Sequence, residues 1–161
     1  MIFMTNMTKQ ELYLKTVFCC MACDGDIAVE EIDLVKDLSA QSDELKGLDV
    51  QTLLDKWVGE INSGGAAFLK GFLCELSEQE LTTDEQLKVI SLAIRTIEAD
   101  NRIEYSEIKF FKKIRFRLSV SDEEILELHP DKEDFLLSDI MVAEDPVWED
   151  IQFSDIILTM D

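Results

Sequence analysis

The chain has 161 residues, of which 35 are Asp or Glu and 15 are Lys or Arg, so its formal charge is −20. This length suits one domain with a substantial core, and an apolar content of 47% is too high for a disordered acidic chain. The charge repels phosphate backbones and anionic lipid, and no stretch is long and apolar enough to cross a bilayer. We therefore predict a globular protein with no nucleic-acid partner and no direct membrane insertion.

Helical signals follow one another along the chain, and no run of alternating β-branched residues indicates a strand. A capping box at Thr8 and Glu11 begins the first helix, which ends near Cys23. Further helices are predicted over about 30–39, from Asp49 to Ile61, over 66–79, from a capping box at Thr83 and Gln86 to Ile97, over 105–118, and from Ser121 towards Pro130. The predicted fold class is all-α, a bundle of about seven helices.

The charge is unevenly distributed, with −11 over residues 1–101, +4 over 102–117 and −13 over 118–161. The basic stretch is either a solvated helix face or a docking strip for the acidic tail or a partner. We predict a helical domain over 8–128 and an acidic C-terminal extension over 129–161. The extension is expected to pack on the bundle, because an unpacked segment would expose a Trp and several large aliphatic side chains.

The four cysteines and the absence of a signal-peptide pattern predict a cytoplasmic protein. Cys20 and Cys23 have the spacing of a redox or zinc pair, but they lie at the end of a helix, and only Cys74 and His129 remain as further ligands. We therefore expect the cysteines to be core residues. His129 is expected in a surface loop with no paired Ser or Cys, so no enzyme activity is predicted.

Two loops of the chain resemble each other at an offset of 76 residues. The matched pairs are Asp24 with Asp100, Gly25 with Asn101, Ile27 with Ile103 and Glu31 with Glu107. Gly and Asn both tolerate positive φ, which the backbone needs at many helix ends. Each loop joins a helix that ends in small residues to a helix that begins with acids. This repeat predicts a bundle built from two related helical hairpins.

The first loop, with the following glutamate, resembles the TerB tellurite-resistance family, which typically shows A-D-G-x-I-x-x-x-E at this point. The matching residues are Asp24, Gly25, Ile27 and Glu31, and the resemblance extends over residues 8–128. The chain departs from the family pattern where Cys23 replaces Ala, where Asn101-Arg102 replaces Gly and an acid, and in the region after residue 130. The resemblance implies an all-helical domain with acidic surface clusters and no enzyme activity.

The same resemblance implies a noncatalytic binding or scaffold module linked to tellurite or stress resistance. Its expected partner is an unidentified protein that is basic or associated with a membrane, since the acidic charge selects cationic surfaces.

The alternative function is that of a divalent-cation sensor. If the hairpins pack around a pseudo-two-fold axis, Asp24, Asp26 and Glu31 would face Asp100 and Glu107 across it. Carboxylate oxygens favour calcium, magnesium or manganese as the bound ion. In the competing interpretation, the aspartates bond turn amides and the glutamates cap their own helices.

Overall fold

The computed structural model of the protein describes residues 8–23, 27, 29–41, 48–99 and 105–131. These residues form seven helices and no strand: α1 (Lys9–Ala22), α2 (Val29–Gln41), α3 (Val50–Gly64), α4 (Ala66–Glu78), α5 (Thr83–Ile97), α6 (Tyr105–Phe116) and α7 (Asp122–Leu128). The predicted all-α class is confirmed. Within these ranges, no helix is long and apolar enough to cross a membrane. The predicted C-terminal extension lies, from residue 132 onwards, outside the described residues.

Helix α1 lies at the centre of the bundle, where it packs against α4, α5 and α6. All of its residues from Leu12 onwards are buried, on every side of the helix. A helix surrounded by neighbours buries its polar positions as well as its apolar ones. The Thr16 hydroxyl therefore donates to the Leu12 carbonyl of the same helix, at 2.8 Å.

Lys15 is the charged residue that this arrangement forces into the interior, where its side chain is 8% exposed. Its Nζ donates to Glu75 Oε1 on α4 at 2.7 Å. The same Nζ lies 4.9 Å from the ring centroid of Phe68 and 5.8 Å from that of Trp57. The ion pair and the two aromatic rings together compensate for the lost hydration of the ammonium group.

The helices before and after the two repeated loops are α1 and α2 for the first loop and α5 and α6 for the second, and of these two pairs α5 and α6 pack closely together. Helix α2 begins at Val29 and α6 begins at Tyr105, which is the same 76-residue offset as in the loops. The first helices of the two hairpins, α1 and α5, pack closely against each other. An ion pair between Lys9 Nζ and Glu85 Oε2, at 3.1 Å, also joins their N-terminal ends. The repeat is therefore visible in the packing of the bundle.

One capping box differs from the prediction of Thr83 and Gln86. The box at the start of α5 is formed by Thr82 and Glu85, with Glu85 N donating to Thr82 Oγ1 at 3.1 Å. Gln86 is buried, and its Oε1 accepts a hydrogen bond from the backbone N of Ser119 at 2.7 Å. The sequence is compatible with two overlapping capping boxes, at Thr82 and at Thr83. The second does not form, because Gln86 bonds to the connection between α6 and α7 instead.

Removing the charge of Glu75 should lower the unfolding free energy more than replacing Lys15 with an apolar side chain. Glu75→Gln leaves the buried ammonium without its charged partner, and we expect it to lower the unfolding free energy by about 1–3 kcal/mol. The cost is below that of a fully buried pair because the Glu75 side chain is 33% exposed. Lys15→Met keeps an unbranched side chain against Trp57 and Phe68 and should cost less.

Urea denaturation of the three proteins measures this order. Glu78→Gln, on an exposed position of the same helix, is the matched control and should change the unfolding free energy very little. Equal losses for Glu75→Gln and Glu78→Gln would contradict the role of the ion pair.

Candidate functional site

Of the five residues predicted as metal ligands, Glu31 and Glu107 lie among the described residues. Asp24, Asp26 and Asp100 lie outside them. Glu31 is the third residue of α2, and Glu107 is the third residue of α6. The two glutamates therefore occupy equivalent places in the two hairpins, as the repeat in the sequence requires.

Both glutamates are buried, with 3% exposure for Glu31 and 4% for Glu107. This distinguishes them from Glu11, Glu85 and Glu124, which occupy the same third position in α1, α5 and α7 but remain at least partly exposed. Those three belong to capping boxes with a Thr or Ser hydroxyl at the N-cap. Ala28 and Glu104, which precede α2 and α6 in the sequence, carry no hydroxyl group.

The buried Cys20 thiol, near the end of α1, is affected by the charges of both Glu31 and Glu107. Burial raises its pKa well above the ordinary value, and Cys19, Glu107 and Glu31 raise it further, in that order. Both carboxylates therefore lie within electrostatic range of the same buried thiol. The sequence predicted this convergence only under the condition of a pseudo-two-fold packing.

The buried carboxylates have polar partners, since no buried side-chain N or O atom of the described residues lacks a hydrogen bond. In the described part of the chain, no group of three or more His, Cys, Asp or Glu side chains could hold a metal ion. Two carboxylates would supply hard oxygen ligands to a calcium, magnesium or manganese ion, and such ions take about six or more. A complete site would therefore need oxygens from the two loops as well.

An open groove of about 450 Å³ lies between α2 and the C-terminal end of α5. Its walls carry four carboxylates and one guanidinium, with two apolar side chains beside them: Glu30, Asp33, Asp37 and Glu98, then Arg95, then Leu34 and Ala99. Sequence reasoning did not identify this groove. The spacing of Glu30, Asp33 and Asp37 does place three acids on one face of α2, but the opposite wall comes from a segment about 60 residues later in the chain.

The cysteine prediction is confirmed for Cys19, Cys20 and Cys23, which are buried, and is wrong for Cys74, which is exposed on α4. Burial also raises the pKa of the Cys19 thiol, more than the nearby Lys15 ammonium lowers it. Cys23 Sγ donates to the Cys20 carbonyl at 3.4 Å. The Cys19 and Cys20 thiols are therefore protonated at neutral pH, unlike the thiolates that redox and zinc sites use.

His129 has a partner that the sequence did not reveal. Its Nε2 lies 2.8 Å from Ser91 Oγ on α5, and both residues are half-buried. His129 is also the residue that ends α7, where its backbone N donates to the Ile125 carbonyl at 2.9 Å. The Ser91–His129 hydrogen bond therefore holds the end of α7 against α5. A separation of 38 residues gave no local signal for this pair.

A scan against protein-family models found no match to this chain, and searches of curated proteins and of solved structures found no similar protein. The resemblance to the TerB family therefore depends on the residues of the loop motif, and family membership stays a prediction.

The raised thiol pKa values predict a decline in stability at alkaline pH. Below the ordinary thiol pKa of about 8.5, both the folded and the unfolded chain hold the proton. As the pH rises above that value, the unfolded chain loses protons that folded Cys19 and Cys20 retain, so the unfolding free energy falls. Urea denaturation across this range measures the decline, which a Cys19→Ala/Cys20→Ala variant should reduce.

Alkylation at neutral pH checks the same assignment in the native protein. Iodoacetamide should modify Cys74 and leave the three buried thiols intact until the protein unfolds, as mass spectrometry would show. Rapid native modification of Cys20 would contradict the interpretation of a buried, protonated thiol.

Proposed function

We propose that this protein is a noncatalytic binding or scaffold module of the TerB type, linked to tellurite or stress resistance. The TerB type is proposed from the loop motif, and the observation that carries the binding role is the acidic groove between α2 and α5. Its expected partner is a basic segment of another protein, either a free protein or one associated with a membrane.

The composition of the groove supports a cationic partner. The groove is lined by four carboxylates and one guanidinium, so its electrostatic potential is expected to be negative and to attract Lys and Arg side chains. Leu34 and Ala99 add a small apolar surface that a partner could cover. Arg95 offers one cation, which could pair with an acidic residue of the partner and define its orientation.

Reversing charges in the groove should weaken the binding of this partner. We expect Glu30→Lys/Asp33→Lys/Asp37→Lys to weaken binding by roughly tenfold or more, because it replaces attraction with repulsion along one wall. The measurement is affinity capture from the native host, followed by titration of the partner so identified.

The matched control is Glu60→Lys/Glu78→Lys/Glu127→Lys, which makes the same change in net charge at exposed positions outside the groove. A protein retained by the wild type and this control, but lost from the groove variant, supports the proposal. Loss from both variants would show that capture depends only on net charge and would contradict it.

A divalent-cation sensor is the second function proposed, because Glu31 and Glu107 are both buried and act on the same thiol. In this proposal they supply ligand oxygens together with Asp24, Asp26 and Asp100 from the two loops. Their positions in the first turns of α2 and α6 favour negative charge there even without a cation. The capping interpretation uses the same positions, so the test must separate the two.

A bound cation would raise the thermal stability of the wild type. An ion present at about 100 times its dissociation constant adds roughly 2.7 kcal/mol to the unfolding free energy. We expect calcium, magnesium or manganese to raise the melting temperature of the wild type, and to have no effect on an Asp24→Asn/Asp100→Asn variant. Differential scanning calorimetry with and without each ion measures this.

Glu124→Gln supplies the matched control for Glu31→Gln and Glu107→Gln, since all three change the third residue of a helix. Cation stabilisation should survive Glu124→Gln and be lost in the other two. An equal shift in all the variants, or no shift in the wild type, would leave only the capping role.

A further inference from the structure

We propose that the acidic segment 144–161 docks on the cationic face of α6, around the exposed side chain of Phe116. This inference concerns a different part of the molecule from the groove and from the two buried glutamates. It commits the basic stretch to one occupant, a named segment of the same chain.

The face of α6 is defined by helical spacing. Phe110, Phe111 and Ile114 are fully buried and form the side of the helix that packs in the core. Lys109, Lys112, Lys113 and Phe116 follow each other at the spacing of one helix face and are all less buried than that side. We call these four residues the α6 face.

Phe116 is the most prominent apolar group of this face, with 83% of its surface exposed. Among the described residues, the other exposed large hydrophobic side chain is Leu128, at 55%, in the last turn of α7. An isolated exposed aromatic side chain is unremarkable. Phe116, however, follows three lysines on the same helix face, so an exposed apolar side chain lies beside a region of positive charge.

The segment 144–161 has complementary chemistry. It contains six Asp and Glu residues and no Lys or Arg. Its apolar residues, which include Trp148, Ile151 and Phe153, alternate with these acids. The ligand that the α6 face would attract is therefore present in the same chain, as an acidic segment with aromatic side chains.

The connection is short enough for docking within one molecule. Arg115 Nη2 lies 2.9 Å from Asp122 Oδ1, so the start of α7 is held beside the end of α6. Helix α7 has seven residues, and the described chain ends at Asp131. Residues 132–143 can extend by about 40 Å, several times the length of α7 at about 1.5 Å per residue.

Carbodiimide cross-linking of the full-length protein tests the contact directly. It joins lysine amines to nearby carboxylates, and mass spectrometry identifies the joined residues. We expect cross-links from Lys109, Lys112 or Lys113 to acids of 144–161, within one molecule and independent of protein concentration. Phe116→Ser should lower their yield although every lysine remains, and Phe116→Leu should restore part of it.

The fluorescence of Trp148 provides a second measurement. Trp57 is buried, so the difference between the wild type and a Trp148→Phe variant isolates the signal from the tail. In Lys109→Glu/Lys112→Glu/Lys113→Glu we expect the docking equilibrium to shift by roughly tenfold, or about 1.4 kcal/mol, because repulsion replaces attraction between this face and the acidic segment. The emission should move to longer wavelength and acrylamide quenching should increase.

The control Lys56→Glu/Lys70→Glu/Lys88→Glu changes the net charge equally at exposed positions outside α6 and should leave the Trp148 signal unchanged. Circular dichroism confirms that each variant is folded. Equal effects of the two triple variants would overturn the proposal. So would cross-links that map to lysines outside α6, or cross-links that appear only between two molecules.

Discussion

The burial of α1 on every side is the constraint on which the rest of the structure depends. A helix enclosed by α4, α5 and α6 has no solvated face, so each of its polar groups must find a partner in the protein. Thr16 bonds to its own helix, and Lys15 reaches Glu75 and two aromatic rings. The thiols of Cys19 and Cys20 remain protonated, because a thiolate would be more costly in that environment than a neutral thiol.

The same enclosure gives the internal repeat its physical meaning. Helices α1 and α5 precede the two repeated loops and pack against each other, and α2 and α6 follow those loops at the same offset of 76 residues. Glu31 and Glu107 are thereby brought to the region of Cys20. Burying two carboxylates close together is unfavourable unless hydrogen bonds, helix N-termini or a cation compensate. A bound cation would reduce this cost for the two buried glutamates, whereas the many exposed acids have little such cost to reduce.

The acidic residues that give the net charge of −20 therefore lie in different environments. The buried glutamates belong to the interior, whereas Glu30, Asp33 and Asp37 line an open groove beside α5. The groove is open to solvent, unlike the surroundings of the two buried glutamates. Lysines on α6 give a region of the opposite sign on the same small domain, so the described part of the chain carries clusters of both charges.

The sequence by itself determined the helical class, the approximate bounds of the helices and the offset of the two hairpins, because these depend on local periodicity, caps and similarity between segments. It also singled out Glu31 and Glu107. The tertiary structure decided which of two overlapping capping boxes forms at Thr82, that Cys74 is exposed, and that Ser91 bonds His129. The tertiary structure also determined that α2 and the end of α5 form one groove, and that both glutamates affect the same thiol. These features arise from contacts between helices distant in sequence, and local periodicity carries no information about which distant side chains will meet.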